Sequence, residues 1–398
     1  MATDNNNKVL NVPNLRFPEF TEVWKDSNIG KCFDLYSGNT PSRMEKKHFI
    51  GDVNWITSGE LKEHYIGDTK ERISEKAAED NNLRILPVGT FVMAIYGLEA
   101  EGVRGTCSIT VKTSTISQAC MAFTPKSNVS NEFLYSWYKK HGNKIGIRYA
   151  QGTKQQNLSY DIIEKFPIRY PSIEEQEKLN TFISLLDKRI ATQNKIIEDL
   201  KKLKVAIIEK VFSEKKCNYK IGDVISQVSI RNKSKKETNI LSVSNKWGFV
   251  EQSEQFEDRI VASGDITNYK VVRTNDFAYN PARINVGSIA RLKRYESGIV
   301  SPMYICFHSQ NALLPEYLEL FFYTLYFKHE MYKRLEGSVR LCLSFEGLTN
   351  IPIFIPEITT QREISIKVNS IETKIGIEET YLNALKDQKQ YLLKHMFI

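Results

Sequence analysis

Residues 152 to 212 align with residues 337 to 397 at a constant offset of 185, without a gap. Thirteen of the 61 positions are identical, among them Gly152, Leu158, Ser159, Pro167, Ile168, Pro171, Gln176, Lys204 and Phe212. Weaker similarity continues upstream at offset 184, where Ser117 to Phe123 resembles Ser301 to Phe307 and Glu132-Phe133-Leu134 resembles Glu316-Tyr317-Leu318. Ile29-Gly30 recurs as Ile221-Gly222. Self-similarity over such a distance means two copies of one structural plan, so any fold proposed for one half must serve the other.

Each copy divides at a pair of prolines, Pro167 and Pro171 in the first and Pro352 and Pro356 in the second. Proline stops regular structure, and the residue before it is pushed out of the helical region. The chain therefore reads as four segments: residues 1–170, a long helix over 171–214, residues 215–355, and a second long helix over 356–398. The two larger segments are mixed in character. β-rich runs at Gly89 to Tyr96, Cys107 to Val111 and Phe277 to Tyr279 alternate with turns at Gly38-Asn39, Ser58-Gly59 and Ser263-Gly264. Helices are predicted at Asn131 to Lys140 and at Pro315 to Leu335, the latter opening on a proline suited to a first helical turn.

After Pro171 and after Pro356 apolar residues recur at spacings of three and four, which is a heptad seam. The first run is Ile183, Leu186, Ile190, Ile197, Leu200, Ile207 and Val211; the second is Val368, Ile371, Ile375, Leu382, Leu385, Leu392 and Met396. Ser172 before Glu175, and Thr359 before Arg362-Glu363, are the expected helix starts. Two apolar positions in seven make a stripe narrower than a helix lying on a domain usually shows, which favours pairing of the two helices. Leu179, Phe182 and Ile208 widen the first stripe and are read as a place for a partner helix. Polar residues break both seams at matching places, Gln193 and Glu378, then Lys204 and Lys389. In an antiparallel pair facing residue numbers have a constant sum. A sum of 582 sets Gln193 opposite Lys389 and Lys204 opposite Glu378, and sets apolar layers against apolar layers, so that no polar group is stranded.

Composition narrows the chemistry. Fifty-five Lys and Arg against 47 Asp and Glu leave +8, shared between the two copies. That permits phosphate binding, yet many proteins without nucleic-acid partners carry as much. The six cysteines form no C-x-x-C and have no histidines at zinc-like spacing, so reduced, mostly buried thiols are expected, and no metal. Met1 to Lys8 is polar and no stretch approaches 18 apolar residues, so a cytoplasmic protein without a membrane span is expected.

Catalytic motifs are sought and not found. A base-flipping adenine methyltransferase needs a glycine-rich cofactor loop and an Asn/Asp-Pro-Pro-aromatic motif. Asn280-Pro281-Ala282-Arg283 lacks the second proline and the aromatic, and reads as a turn. Gly97 to Gly102 has the glycine spacing of a P-loop, but Val103-Arg104 stands where lysine and a hydroxyl are required. Asp34 with Glu45-Lys46-Lys47 is too common a pattern to make a metal nuclease, and the six histidines are isolated from one another.

Some further runs carry a resemblance. Val12-Pro13-Asn14-Leu15-Arg16-Phe17-Pro18-Glu19-Phe20 opens the chain, and Ser37-Gly38-Asn39-Thr40-Pro41-Ser42 follows. Then come Gly51-Asp52-Val53-Asn54-Trp55-Ile56-Thr57-Ser58-Gly59-Glu60-Leu61, and the run Pro171 to Gln176 with its echo Pro356 to Gln361. In this order, in a duplicated chain, they resemble the specificity subunits of type I restriction-modification systems over essentially the whole length. The second copy departs from the pattern, lacking the Thr-Pro-Ser and Trp-Ile-Thr-Ser-Gly features, as suits two domains that read different sequences.

The resemblance implies an α+β fold: two duplicated mixed α/β target recognition domains separated by two long antiparallel coiled-coil helices. It implies a non-catalytic subunit that binds double-stranded DNA, each domain reading one half of an interrupted site, in a phage-defence system. It also implies docking of two modification subunits and of restriction subunits. S-adenosylmethionine, ATP and magnesium would belong to those partners, with no cofactor here, and the assembled complex would methylate adenine N6 and cleave DNA with ATP. Base edges and phosphates are met by Arg, Lys, Asn and Gln on loops. The first unit offers Arg43, Lys46, Lys47, Lys154, Gln155 and Gln156; the second offers Asn245, Lys246, Arg283, Asn285, Arg291 and Arg340. The rival readings are a two-domain coiled-coil adaptor that binds no DNA, and a recognition subunit of a related methylation-based defence system.

Overall fold

The computed structural model describes residues 11–100, 102–152, 156–213, 216–252, 265–338 and 340–398. Two long helices, Ile173–Ser213 and Ile358–Met396, follow the paired prolines. Ser172 caps the first, accepting from the Glu175 backbone N–H. The second begins at Ile358, so that Thr359 lies inside it; Gln361 N–H bonds the Glu357 carbonyl as Gln176 N–H bonds that of Ser172, so the residue before the helix is Glu357, two positions ahead of the expected Thr359.

The chain forms two units, one ending at Asn194 and resuming at Tyr381–Ile398, the other spanning Lys195–Thr380. The first unit contains a five-stranded sheet in the order Phe33–Ser37, Cys120–Pro125, Phe91–Ala94, Cys107–Thr110, Tyr65–Ile66. A three-stranded sheet, Arg72–Ile73, Val53–Ile56 and Ser114–Ile116, lies in the same unit, with its last two strands parallel. The second unit carries two four-stranded sheets. One runs Ile225–Val228, Ile305–Ser309, Phe277–Tyr279, Ile289–Arg291; the other runs Gly248–Glu251, Ile240–Ser244, Ser297–Val300, Lys270–Arg273. The fold class is thus α+β, duplicated, with two long helices.

One expected helix is two. Pro315–Phe322 and Leu325–Tyr332 are separated at Tyr323-Thr324, because the Thr324 hydroxyl accepts from Phe327 N–H and starts a new helix. The other is longer than expected, Asn131–Tyr149.

The shared positions of the repeat have physical reasons. Gln176 and Gln361 are fully buried and do the same work in each unit. Gln176 accepts from Ser130 N–H, at the start of helix Asn131–Tyr149, and donates to the carbonyls of Asn128 and Pro171. Gln361 accepts from Leu314 N–H, at the start of helix Pro315–Phe322, and donates to Ala312 and Pro356. Gly152 and Gly337 have φ of 110° and 114°, which only glycine adopts readily. A Cβ at Gly30 would meet Glu164 at 3.0 Å and one at Gly222 would meet Thr349 at 2.7 Å, so the Ile-Gly echo marks a close approach.

Each core takes in both long helices. In the first unit Leu179 and Ile183 join Leu392, Met396 and Phe397 with Trp24, Phe91 and Phe133. In the second Ile208, Phe212 and Val368 join Tyr317, Phe321 and Leu343. Leu179 and Ile208 are therefore buried in the chain's own cores, contrary to the expected partner-helix site, while Phe182 is half-buried and packs edge-on against Phe17. Phe212 and its repeat mate Phe397 end the helices in opposite units: Phe212 packs on Tyr317 and Phe321, Phe397 on Phe133.

The helices pair antiparallel, and the register differs from the expected one. Lys389 bonds Asp187 at 2.5 Å in the first unit, and Lys204 bonds Glu372 at 3.2 Å in the second. The numbers in each pair add to 576, and the repeat converts one bridge into the other. A seam whose facing numbers add to 575, one heptad from the expected 582, places both carboxylates beside the lysines' facing positions. The expectation counted only facing partners; a lysine stem lies along the apolar seam and delivers its ammonium to a flanking carboxylate instead.

All six cysteines are free thiols, four of them buried. Burial pushes the thiols of Cys107, Cys120 and Cys306 up to about 12. No helix of the described residues is long and apolar enough to cross a membrane, and no described group of three His, Cys, Asp or Glu could hold a metal.

Candidate nucleic-acid interface

In the first unit the basic loop around residues 42–50 stands on a built platform. Gly38 sits where a Cβ would meet the Ile116 carbonyl oxygen at 1.9 Å, and Gly51 where one would meet the Ile73 oxygen at 2.4 Å, so both loop ends require glycine. Trp55 is buried, donates its indole N–H to the Asn39 carbonyl and packs edge-on against Phe49. Thr57 and Glu60 form a reciprocal cap. Lys46 and Lys47 open a short 3-10 turn with their side chains exposed. Arg43 lies over the Phe49 ring at 4.6 Å and holds Glu71 with two nitrogens, at 2.5 and 2.8 Å. That pair keeps the Glu71 carboxyl below its usual range and the guanidinium above its own. Met44 is 95% exposed between them.

The remaining first-unit candidates divide. Lys154 and Gln155 lie outside the described residues. Gln156 is a structural residue here, its side-chain oxygen accepting from Arg104 and its backbone N–H donating to Glu99.

In the second unit the structure brings Asn245, Lys246, Arg283 and Asn285 to one edge. Asn245, Lys246 and Trp247 are the three-residue tip of a hairpin whose strands pair Ser244 with Gly248. The Ser244 hydroxyl accepts from the N–H groups of Lys246 and Trp247, and Gly248 closes the turn at φ 68°. Residues 280–287 form the adjacent loop: Asn280 accepts from Ala282 N–H, as the turn expected at Asn280-Pro281 requires. A Cβ at Gly287 would lie 3.6 Å from the Asn245 Cβ, so the two loops touch. Beside them a cavity of about 370 Å³ is lined by Asn245, Asn285 and Arg291 with Phe277, Phe322 and Tyr323.

Arg291 is a different case. Its guanidinium is buried and bonds Glu316, Glu319 and the Asn275 side chain, which leaves it little freedom to reach a ligand. Arg340 is exposed on the loop closed by the pairing of Glu336 with Cys342, away from regular structure. Sequence reasoning did not single out Trp247, because an isolated tryptophan in a chain rich in aromatics reads as core; only its 71% exposure separates it.

Residues 21–202 match the model of the type I restriction modification DNA specificity domain. A type I restriction enzyme MjaIX specificity subunit from Methanocaldococcus jannaschii is 29% identical over 201 residues, half of this chain and 45% of that subunit, so the match spans less than half of that relative's length. The MjaVIII specificity subunit of the same organism is 20% identical over 95% of this chain and 92% of its own. The crystal structure of a type I restriction-modification S subunit from M. genitalium superposes with a TM-score of 0.58 at 15% identity, covering 97% of this chain and 99% of that one, which shows a shared fold. The resemblance read from the sequence is borne out: this chain is similar along its length to type I specificity subunits, and residues 21–202 match the model of their DNA specificity domain.

Proposed function

We propose that this chain is the DNA specificity subunit of a type I restriction-modification complex, reading an interrupted double-stranded site with one recognition unit per half. The observation that carries the reading is the match of residues 21–202 to the DNA specificity domain, in a chain whose second copy repeats the scaffold bonds of Gln176 at Gln361 and the positive φ of Gly152 at Gly337. Three loops, one bearing Arg43, Lys46 and Lys47, one bearing Asn245 and Lys246, and one bearing Arg283 and Asn285, are the proposed DNA-facing elements, with Lys154, Gln155 and Arg340 as further proposed contacts. Arg291 and Gln156 support loops in this reading. The paired helices, including Leu186, Ile190, Ile197, Leu200, Ile207, Ile375, Leu382 and Leu385, set the spacing between half-sites. Two modification subunits dock on the complex and bring S-adenosylmethionine; restriction subunits bring the ATP- and magnesium-dependent chemistry. The chain itself is non-catalytic and acts in the cytoplasm.

The test is to purify the chain with a cognate modification subunit, measure binding to mixed duplex DNA across salt concentrations, and sequence the methylated adenines. The reading requires affinity that falls steeply with salt, because each phosphate neutralised releases counterions, and methylation at one asymmetric, interrupted sequence. Salt-independent or absent DNA binding would instead favour a protein adaptor. Methyl transfer by the highly purified chain alone would remove the non-catalytic assignment.

A further inference from the structure

Trp247 stands at the tip of a hairpin whose backbone is held by the Ser244 hydroxyl on one side and by Gly248 in the left-handed region on the other. The residue is 71% exposed, and the Lys246 ammonium lies 4.7 Å from the ring centroid. The flanking exposed groups are Asn245, Lys246 and Arg283, with Lys328 further along the same edge; the nearby carboxylate Glu319 is already engaged by Arg291 and Lys293. Among the described residues, a large apolar ring exposed at a hairpin tip and flanked by cations and amides is complementary to a surface that is anionic outside and apolar within. Duplex DNA in its major groove is such a surface: phosphates line the walls, amides read base edges, and the thymine methyl is the apolar group on the floor. Val286 and Tyr323 are exposed along the same edge, so a protein contact is the competing occupant, and the experiment below separates the two.

We infer that Trp247 is a specificity-determining residue of the second unit, making an apolar base-edge contact while Lys246 and Arg283 hold phosphates. This rests on the DNA reading proposed above. The two ideas separate in one experiment with the chain assembled on a cognate modification subunit. The wild-type complex first defines the methylated sequence. Trp247→Ala should lower affinity for that sequence by about 5- to 150-fold. It should also relax the methylated motif at one or two positions of a single half-site, leave the other half unchanged, and keep the salt dependence. Trp247→Phe should restore most of the affinity. Lys246→Ala should weaken all sequences alike and reduce the salt slope by about one. The melting temperature of Trp247→Ala should equal that of wild type, since the ring supports no packing. If wild type binds and Trp247→Ala methylates the same motif with unchanged affinity, the inference is wrong while the DNA reading stands. If Trp247→Ala leaves DNA affinity intact but loses the modification subunit on gel filtration, Trp247 is a protein contact and the inference is again wrong. If wild type binds no DNA, both fall.

Discussion

Gln176 and Gln361 show how a single side chain can tie three backbone segments together. Each is buried and satisfies both its amide oxygen and its amide nitrogen on carbonyls and an N–H that have no other partner in regular structure. Replacing either by alanine strands those groups in an apolar setting, and each substitution should cost about 2 to 3 kcal/mol, seen as a lower denaturant midpoint. An unchanged midpoint would mean that water takes over the bonds. His141 provides a pH test. Burial and the neighbouring Lys140 lower its pKa from 6.5 to about 4, while a bond to the Ile398 backbone acts in the opposite sense, and its Nε2 is buried without a partner. The folded state thus binds a proton more weakly than the unfolded chain. The contribution to stability is complete above pH 6.5 and is lost as pH falls toward 4, reaching about 2 kcal/mol by pH 5. His141→Gln should therefore flatten the fall in melting temperature between pH 7 and 5. Equal slopes in the two proteins would show that His141 titrates normally.

At the scale of elements, the helix pair depends on where two lysines find carboxylates. The bridges Lys389–Asp187 and Lys204–Glu372 obey the symmetry of the repeat, so one error in register would break both. Cysteines placed at Leu200 and Ile375 in a cysteine-depleted background should be joined by a short bis-maleimide, whereas the pair at Leu200 and Leu382 should react poorly. The reverse preference would restore the facing sum of 582 expected from the seam alone. The heptad pattern itself was legible, because Ile183, Ile197, Leu382, Leu385 and Leu392 recur at spacings that no strand could use. Register was not legible from facing partners alone, because long side chains reach a turn away from their own backbone positions.

For the whole molecule, the proposed role of the helices gives a length test. Each is about 40 residues and ~60 Å long at ~1.5 Å per residue. Removing one heptad from both keeps the seam in phase and shortens it by ~10 Å, about 3 base pairs. Methylation mapping of that deletant should return the same half-sites around a shorter spacer. An active complex with an unchanged spacer would show that the helices do not set it. The loops that carry the DNA reading were visible as basic stretches, with Asn245 and Asn285 in the second unit, but their quality as contacts was not. Arg291 and Gln156 have the right chemistry and are occupied by Glu316, Glu319 and Arg104, partners that lie far away in sequence.

By itself the sequence determined the duplication, the α+β class, the two long helices and the absence of catalytic motifs, since these follow from local composition, periodicity and proline placement. Tertiary structure alone decided which copy each helix end completes. Phe212 and Phe397 are the same residue of the repeat, yet the first closes the core of the second unit and the second closes the core of the first. Burial of an aromatic ring is equally favourable against either core, so its sequence position cannot choose between them; the antiparallel course of the helices does, by carrying each end to the unit its own copy does not form.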